Sequence, residues 1–292
     1  MPLFFFLSGL FFCKSLNKYG GKGLIFTKLD TIIYPYIIWS LLQGSIEVTL
    51  SNFTNGNVSW GYVFKLLWAP RAHFWFLYAL FFVFLAAVAI YSTRAKKHTE
   101  VIFTLSVILY LLPPVLPTFK IFTFISEYSI YFFFGVVFQK YVKVEYLMNS
   151  QTVLILLIMF LLGQWLFHGH FSLTYQSRGW GTLFLALISI VFVVSISGKL
   201  TTKSCNAFEF IGISSMAIYL MHILAGSGTR IILSKLLNID SYIFHIVAGT
   251  IVGILVPIIA IKVISKFNIP YVFSAPISSW GLTIYNKVIH RN

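Results

Sequence analysis

A series of long apolar segments constrains the fold of this chain more than any other feature of its sequence. A helix of about 20 residues crosses the roughly 30 Å hydrocarbon core of a bilayer. Closed β-barrels also cross membranes, but these segments are too long and too uniformly apolar for strands that alternate apolar and polar residues. The sequence therefore predicts an all-α, polytopic membrane helical bundle. Its nine predicted transmembrane helices are 2–13, 31–50, 74–91, 101–117, 121–139, 152–169, 180–198, 207–226 and 241–263.

The composition excludes a water-soluble fold. Hydrophobic residues make up 59% of the 292 residues and charged residues only 10%, whereas a soluble domain is about a quarter charged. Too few polar side chains are present to cover a surface in contact with water. No polar stretch is long enough to form a separate soluble domain, so residues 1–292 are expected to form a single transmembrane domain.

The net charge of +14 arises from 21 Lys and Arg against 7 Asp and Glu. In a soluble chain such an excess indicates nucleic-acid binding. Here fifteen of the basic residues follow the odd-numbered spans and six lie in the alternate loops, and the cytoplasmic loops of membrane proteins collect Lys and Arg. The charge therefore predicts topology rather than a nucleic-acid partner. We expect a multi-pass protein of the cell inner (plasma) membrane, with its C-terminus in the cytoplasm and Met1 outside.

The first apolar segment is too short to cross a membrane. Residues 2–13 extend about 18 Å as a helix, at 1.5 Å per residue. The segment has neither the basic region nor the small-residue cleavage site of a signal peptide. We therefore expect the chain to be N-terminally incomplete, with one further helix before Met1 and ten spans in all.

Several classes of chemistry lack their sequence motifs. The phosphate-binding patterns GxxxxGK[ST] and GxGxxG do not occur, and neither do the GxSxG and HExxH patterns of hydrolases. Only two aspartates are present, which disfavours a pair of catalytic carboxylates or an oxygen-rich metal site. The sequence predicts no metal site and no tightly bound cofactor.

A few ionisable residues are embedded in the apolar segments or lie at their ends, where they are costly and often functional. Glu127 lies inside the fifth span and His222 lies near the outer end of the eighth, while Arg71 and His73 precede the third. Five of the seven histidines, together with Glu127, fall toward the predicted outer side, which indicates a polar cavity open to the outside.

Alternative interpretations are open for each of these residues. Glu127 is either functional or neutralised by an arginine, for which Arg178 and Arg230 are the candidates. His222 is either functional or a buried histidine with satisfied hydrogen bonds. Arg71 and the interfacial histidines are also compatible with simple contact to lipid headgroups.

A lysine-rich stretch, KSLNKYGGKGLIFTKLDTIIYPY, follows the first span. Its Gly-Gly pair and its lysines, Lys22 and Lys28 among them, are compatible with an anionic ligand such as a nucleotide phosphate, because the lysine ammonium is a strong point charge. The alternative is that these lysines serve only to orient the chain in the membrane.

Several motifs in this chain resemble those of the acyltransferase family 3 integral membrane proteins, and most closely the fucose 4-O-acetylase-like branch. MPLFFFLSGLFF is similar to the second helix of that family, and the YPY that ends the lysine-rich stretch is similar to the start of its third. HFWFLYAL, which contains Trp75, is similar to the family's WFL segment. ISSMAIYLMH, which ends at His222, is similar to a late family helix.

The resemblance implies ten helices and the transfer of an acyl group, here expected to be acetyl. The donor would be cytoplasmic acyl-CoA, bound near Lys22 and Lys28. The acceptor would be a hydroxyl of an extracytoplasmic sugar, in a surface polysaccharide or glycolipid. The family's general-base histidine lies on its first helix, upstream of Met1, so the resemblance leaves supporting roles for a set of residues in this chain: His222, Glu127, His73, Arg71 and Trp75.

Two other classes of function remain open at the level of sequence. A glycan or lipid transporter or flippase would also need embedded charges, although the internal repeats typical of many transporters are not evident. A non-catalytic membrane scaffold is the second of these hypotheses.

Overall fold

A computed structural model describes residues 1–51, 59–93, 97–112, 119–174, 176–201, 206–239 and 241–280, with the main chain only at 201, 206 and 207. Among these residues the regular secondary structure is helical and there is no β-strand, which confirms the predicted all-α class. Five basic residues of the charge argument lie outside the described residues, as does the end of the 101–117 segment. They are Arg94, Lys96, Lys203, Lys287 and Arg291.

The α-helices follow one another along the chain with short connections. Several begin or end in short 3-10 or π-helical turns, of which Ala72–Phe74 and Ile232–Leu236 bear on the site below. The helices are α1 Pro2–Leu10, α2 Phe12–Lys28, α3 Tyr34–Thr49, α4 Trp60–Phe64, α5 Trp75–Tyr91, α6 Thr99–Leu111, α7 Lys120–Tyr141, α8 Val144–Leu147, α9 Ser150–Gln164, α10 Trp180–Thr201, α11 Asn206–Ile213, α12 Ser215–Ile231 and α13 Tyr242–Lys266.

Seven helical segments of the described chain are long and apolar enough to cross a membrane. They are Phe12–Thr49, Trp60–Tyr91, Lys120–Tyr141, Ser150–His170, Trp180–Leu200, Ser215–Leu236 and Tyr242–Lys266. Each overlaps at least one of the nine predicted spans. The other two predicted spans correspond to shorter helices, the nine-residue α1 and the 13-residue α6. The chain is a multi-pass membrane protein of helical-bundle class.

The eighth predicted span is displaced along the sequence. It was expected at 207–226, but a helix break at Ser214 separates α11 from α12, and the helical segment then runs on to Leu236. The prediction ended at Gly226 because the stretch AGSGTR combines small and charged residues as a loop does. Arg230, predicted in a loop, is therefore helical. His222 lies near the middle of the segment rather than close to its end.

Tertiary packing explains why the glycine-rich part of α12 stays helical. A side chain at Gly226 would come within 3.8 Å of the carbonyl oxygen of Gly249 on α13, and one at Gly253 would come within 3.6 Å of the carbonyl oxygen of His222. Glycine is a weak helix former in isolation. In a membrane, small residues let two helices approach closely, and the resulting contacts stabilise both.

The chain divides into two compact units. The first comprises Met1–Ile25 and Ala79–Cys205, and the second comprises Phe26–Tyr78 and Asn206–Asn292.

Two glycines set the packing of α1 against α7 in the first unit. A side chain on Gly9 would collide with the carbonyl oxygen of Phe132, and one on Gly135 would collide with the carbonyl of Phe6 and lie 2.7 Å from the amide of Leu10. Aromatic rings fill the surrounding space, and those of Phe12 and Phe132 meet edge to face at 5.3 Å. Gly9 is the glycine of the LSG sequence, so this motif has a packing role in the structure.

In the second unit, the segment that follows α13 returns to the helices near α3. The carboxylate of Asp30 accepts a hydrogen bond from the main-chain amide of Ser278 at 2.9 Å. The indole Nε1 of Trp39 donates to the carbonyl oxygen of Val272 at 3.0 Å. These contacts satisfy polar groups of a largely apolar unit, where unpaired groups would be costly.

Candidate functional site

Arg71 and His73 flank a tight turn of the chain just before α5. Ala72 between them has φ 42°, in the left-handed region, which costs an L-residue about 1 kcal/mol or more. The main-chain amide of Phe74 donates to the carbonyl oxygen of Arg71 at 3.1 Å and closes the turn. As a result, Arg71 contacts α3 while His73 contacts α12.

Arg71 is buried, at 4% exposure, and forms an ion pair with Glu47 of α3. The other carboxylate oxygen of Glu47 accepts a hydrogen bond from Nε2 of Gln43 at 2.9 Å. Gly44 makes room for this pair, because a side chain there would meet the guanidinium of Arg71 and lie 2.8 Å from Cγ1 of Val63. A buried arginine is tolerated only when its charge is compensated, and Glu47 provides the compensation.

His73 lies against His222 and Tyr219 of α12. The two imidazole ring centroids are 5.1 Å apart with their planes at 69°, and the ring of Tyr219 lies 5.2 Å from that of His73. The hydroxyl of Tyr219 donates a hydrogen bond to the main-chain oxygen of His73. This bond ties the turn before α5 to α12 at the level of the two histidines.

The hydrogen bonds of His222 determine which of its ring nitrogens is free. Nδ1 lies 3.0 Å from the carbonyl oxygen of Ile218 and 2.9 Å from that of Tyr219. A carbonyl oxygen only accepts, so Nδ1 must carry the proton. In the neutral imidazole, Nε2 then holds the lone pair and can accept a proton or a hydrogen bond.

Both ring nitrogens of His73 are buried and make no hydrogen bond to any residue within the described ranges. The same holds for Nη1 of Arg71 and Oε1 of Gln43. Buried polar groups in folded proteins are nearly always paired. The two unpaired nitrogens of His73, beside His222, are therefore a place where a polar ligand would be well accommodated.

His222 also lines a cavity of about 560 Å³ between α12 and α13. Its walls are mostly isoleucine and glycine, and its polar lining residues are Ser227, Arg230, His245 and Thr250 beside His222. A cavity that is apolar overall, with a few convergent polar groups, is the usual form of a small-molecule site.

A family model described as an acyltransferase domain matches residues 1–262. The chain belongs to the acyltransferase 3 family. No curated protein and no solved structure matches it. Membership of the family supports a membrane acyltransferase. The matched residues run through both compact units of this acyltransferase 3 protein.

Glu127 belongs to the first compact unit. Its Oε1 lies 3.5 Å from Nη1 of Arg178, so Arg178 is the ion-pair partner. Arg178 also donates from Nε to the carbonyl oxygen of Tyr110 at 2.6 Å and from Nη2 to that of Leu109 at 3.2 Å. Both carbonyls are among the last four of α6, which lack partners within the helix. The pair therefore has a structural role at this helix end.

Three predicted site residues remain, namely Trp75, Lys22 and Lys28. Trp75 is the first residue of α5, next to the His73 turn, and its ring meets that of Phe76 at 6.4 Å. Lys22 is exposed and Lys28 half-buried, and both follow Gly20, whose φ of 67° interrupts α2. The break falls at the Gly-Gly pair noted in the sequence.

Sequence reasoning missed Glu47 and Tyr219. Glu47 is a carboxylate inside a predicted span, the same signal that singled out Glu127. Tyr219 precedes His222 by three residues, so the two share a helix face. His245, interpreted as an interfacial residue, lines the cavity together with Arg230.

Among the described side chains, no three His, Cys, Asp or Glu residues are grouped closely enough to hold a metal ion.

Proposed function

We propose that this acyltransferase 3 protein is an O-acyltransferase that moves an acyl group, in the first instance acetyl, from cytoplasmic acyl-CoA to a hydroxyl of an extracytoplasmic sugar in a polysaccharide or glycolipid. The observation that carries the proposal is the His222 imidazole. Its Nδ1–H is held by two main-chain oxygens, and its Nε2 lone pair is free beside His73 and a cavity.

The chemistry of the transfer requires an acceptor for the hydroxyl proton. The hydroxyl oxygen forms the new ester bond as the carbon–sulfur bond of the thioester breaks, and the proton leaves with the CoA thiol. A positioned imidazole that accepts a hydrogen bond from the hydroxyl orients its oxygen for attack. In the proposal, Nε2 of His222 orients the acceptor hydroxyl in this way without acting as the general base, and the buried nitrogens of His73 pair with a neighbouring polar group of the acceptor.

The other predicted residues have supporting roles in the proposal. Arg71, held by Glu47, fixes the turn that carries His73, and Trp75 flanks that turn. Lys22 and Lys28 are proposed to attract the phosphates of acyl-CoA, because each lysine offers a compact positive charge. Glu127 supports the fold of the first unit through Arg178. The general base stays unassigned among the residues of this chain.

The family match favours acyl transfer over the hypotheses of a transporter and of a non-catalytic scaffold. Nothing among the described residues specifically supports either alternative.

The test is a transfer assay in membranes from cells that express the protein from its own gene. The membranes receive radiolabelled acetyl-CoA, and label is followed into cell-surface glycan. We expect label to enter the glycan with the wild type and to fall sharply with His222→Ala. His170→Ala is the matched control, since His170 is an exposed histidine of the first unit.

Two results would overturn the proposal. Wild-type membranes that transfer no more label than membranes from a gene-deletion strain would exclude the proposed donor or acceptor. Undiminished transfer with His222→Ala would exclude the proposed site while leaving the family assignment intact.

A further inference from the structure

The cavity between α12 and α13 has a polar end that the proposed acyl transfer does not use. Two close approaches define the register of these antiparallel helices: His222 lies opposite Gly253, and Gly226 lies opposite Gly249. Four residues forward along α12 therefore correspond to four residues backward along α13. The next step places Arg230 level with His245. This polar end lies about 12 Å from His222 along the helix, at 1.5 Å per residue.

Arg230 supplies a positive charge that has no acidic neighbour among the residues lining the cavity. Its guanidinium forms no ion pair with any carboxylate of the described chain. A guanidinium is charged at every physiological pH and presents a fork of donors suited to phosphate or carboxylate. The lining of the cavity is therefore complementary to an anion at this end.

His245 adds a second polar group at the same level. Its Nε2 lies 2.6 Å from the carbonyl oxygen of Ile239, so Nε2 carries a proton and donates it to that oxygen. Its Nδ1 is buried and makes no hydrogen bond to the described residues. A phosphate oxygen beside Arg230 would pair with Nδ1 whether the shared proton sits on the ring or on the phosphate.

The rest of the cleft is apolar and open to its surroundings. Ile223, Ile246 and Ile254 line it and are 37%, 50% and 39% exposed. Both helices are candidate membrane spans, and the exposed apolar surface of such a span is in contact with lipid. The mouth of the cleft therefore admits an apolar chain directly from the bilayer.

The depth of Arg230 agrees with the position of a lipid headgroup. It lies six residues before Leu236, where the candidate span ends, which is about 9 Å along the helix axis. Cationic side chains this close to the end of a span reach the interfacial region.

We propose that the α12–α13 cleft binds an anionic amphiphile, whose phosphate pairs with Arg230 and His245 and whose apolar chain lies against Ile246 and Ile254. This ligand site goes beyond the proposed acyl transfer and does not depend on it. It requires a cation, a buried imidazole nitrogen and an apolar wall in one cleft, and the structure provides all three.

The experiment is a titration of the purified protein in detergent, with bound ligand counted by native mass spectrometry. The probes are dodecyl phosphate, dodecanol and inorganic phosphate. We expect dodecyl phosphate to bind more tightly than either partial probe. Arg230→Gln should weaken its binding about tenfold or more, since a charge-assisted contact is lost. Lys235→Gln is the control, because Lys235 is an exposed cation of the same helical segment that does not line the cavity.

The probes separate the possible sources of binding. Equal affinity for inorganic phosphate would show that the site takes a free anion, and equal affinity for dodecanol would show a purely apolar groove. Either result overturns the proposal, as does unchanged binding in Arg230→Gln. His245→Gln provides a second variant, in which weaker binding with an unchanged apparent unfolding temperature supports the assignment. The readout is binding alone, so a protein that transfers no acyl group can still pass or fail this test.

Discussion

The imidazoles of His73 and His222 lie edge to face with their ring centroids 5.1 Å apart. Tyr219 reinforces this arrangement by donating its hydroxyl hydrogen to the main-chain oxygen of His73. His73 begins the motif HFWFLYAL, and His222 ends the motif ISSMAIYLMH, which lies far along the chain. Their proximity gives those motifs a common location and makes the pair the centre of the candidate site.

The first prediction concerns the interaction between the two histidines. His222→Ala and His73→Ala should each reduce acyl transfer by about 100-fold, the usual cost of removing a group that positions or stabilises the reacting atoms. The double variant should lose little more than either single variant, because the two residues act on the same acceptor. The measurement is the initial rate of label transfer from acetyl-CoA. A rate reduction in the double variant equal to the product of the two single reductions would show that the residues act independently.

The second prediction concerns the Arg71–Glu47 pair. Glu47→Leu leaves a buried guanidinium without compensation and should cost about 3–5 kcal/mol, as does breaking other buried pairs. Arg71→Met in the Glu47→Leu background should recover part of this loss, since no buried charge remains. The apparent unfolding temperature in detergent is the readout. A double variant less stable than Glu47→Leu alone would contradict the assigned role of the pair.

The third prediction concerns the contact between α1 and α7. Gly9→Ala and Gly135→Ala each introduce a methyl group against main-chain atoms, and we expect a loss of about 1–3 kcal/mol from overpacking. Gly228→Ala is the matched control, because nothing lies within 4 Å of the added atom and alanine is the better helix former. We expect the control to keep or slightly raise the apparent unfolding temperature. Equal loss in all three variants would mean that close packing is not the cause.

The fourth prediction separates structural from functional roles at Glu127. Glu127→Gln should change stability by about 1 kcal/mol or less, because the ion pair is long and both side chains are partly exposed. Arg178→Ala should cost more, because it also leaves the terminal carbonyls of α6 without donors. Unfolding temperatures of the two variants test this order. A severe loss of acyl transfer in Glu127→Gln with normal stability would instead assign Glu127 a direct role in the reaction.

Much of the fold was predictable from local patterns. The length and apolarity of the segments predicted helices of membrane-spanning size, and seven described segments have that size. The error at 207–226 has a specific cause. Gly226 and Arg230 are typical of a loop when read locally, whereas in the structure this part of α12 is helical and lies close to Gly249 of α13. No local pattern contains that contact.

The candidate site was predictable only in part. His222, His73 and Arg71 stood out because ionisable groups are scarce in this chain, and their motifs resembled those of a known family. Which of these residues meet could not be inferred. Glu127 was equally conspicuous, yet it lies with Arg178 in the first unit, and the partner of Arg71 is Glu47, which no sequence motif singles out.

The sequence by itself determined that this protein is an all-α membrane protein of an acyltransferase family, because the apolar content of a segment and the order of short motifs are properties of the chain alone. Tertiary structure alone decided which polar groups are paired. In a medium without water, each buried charge or hydrogen-bonding group is stabilised by the side chains that folding brings next to it. Those neighbours come from distant parts of the sequence, as the contact between His73 and His222 shows.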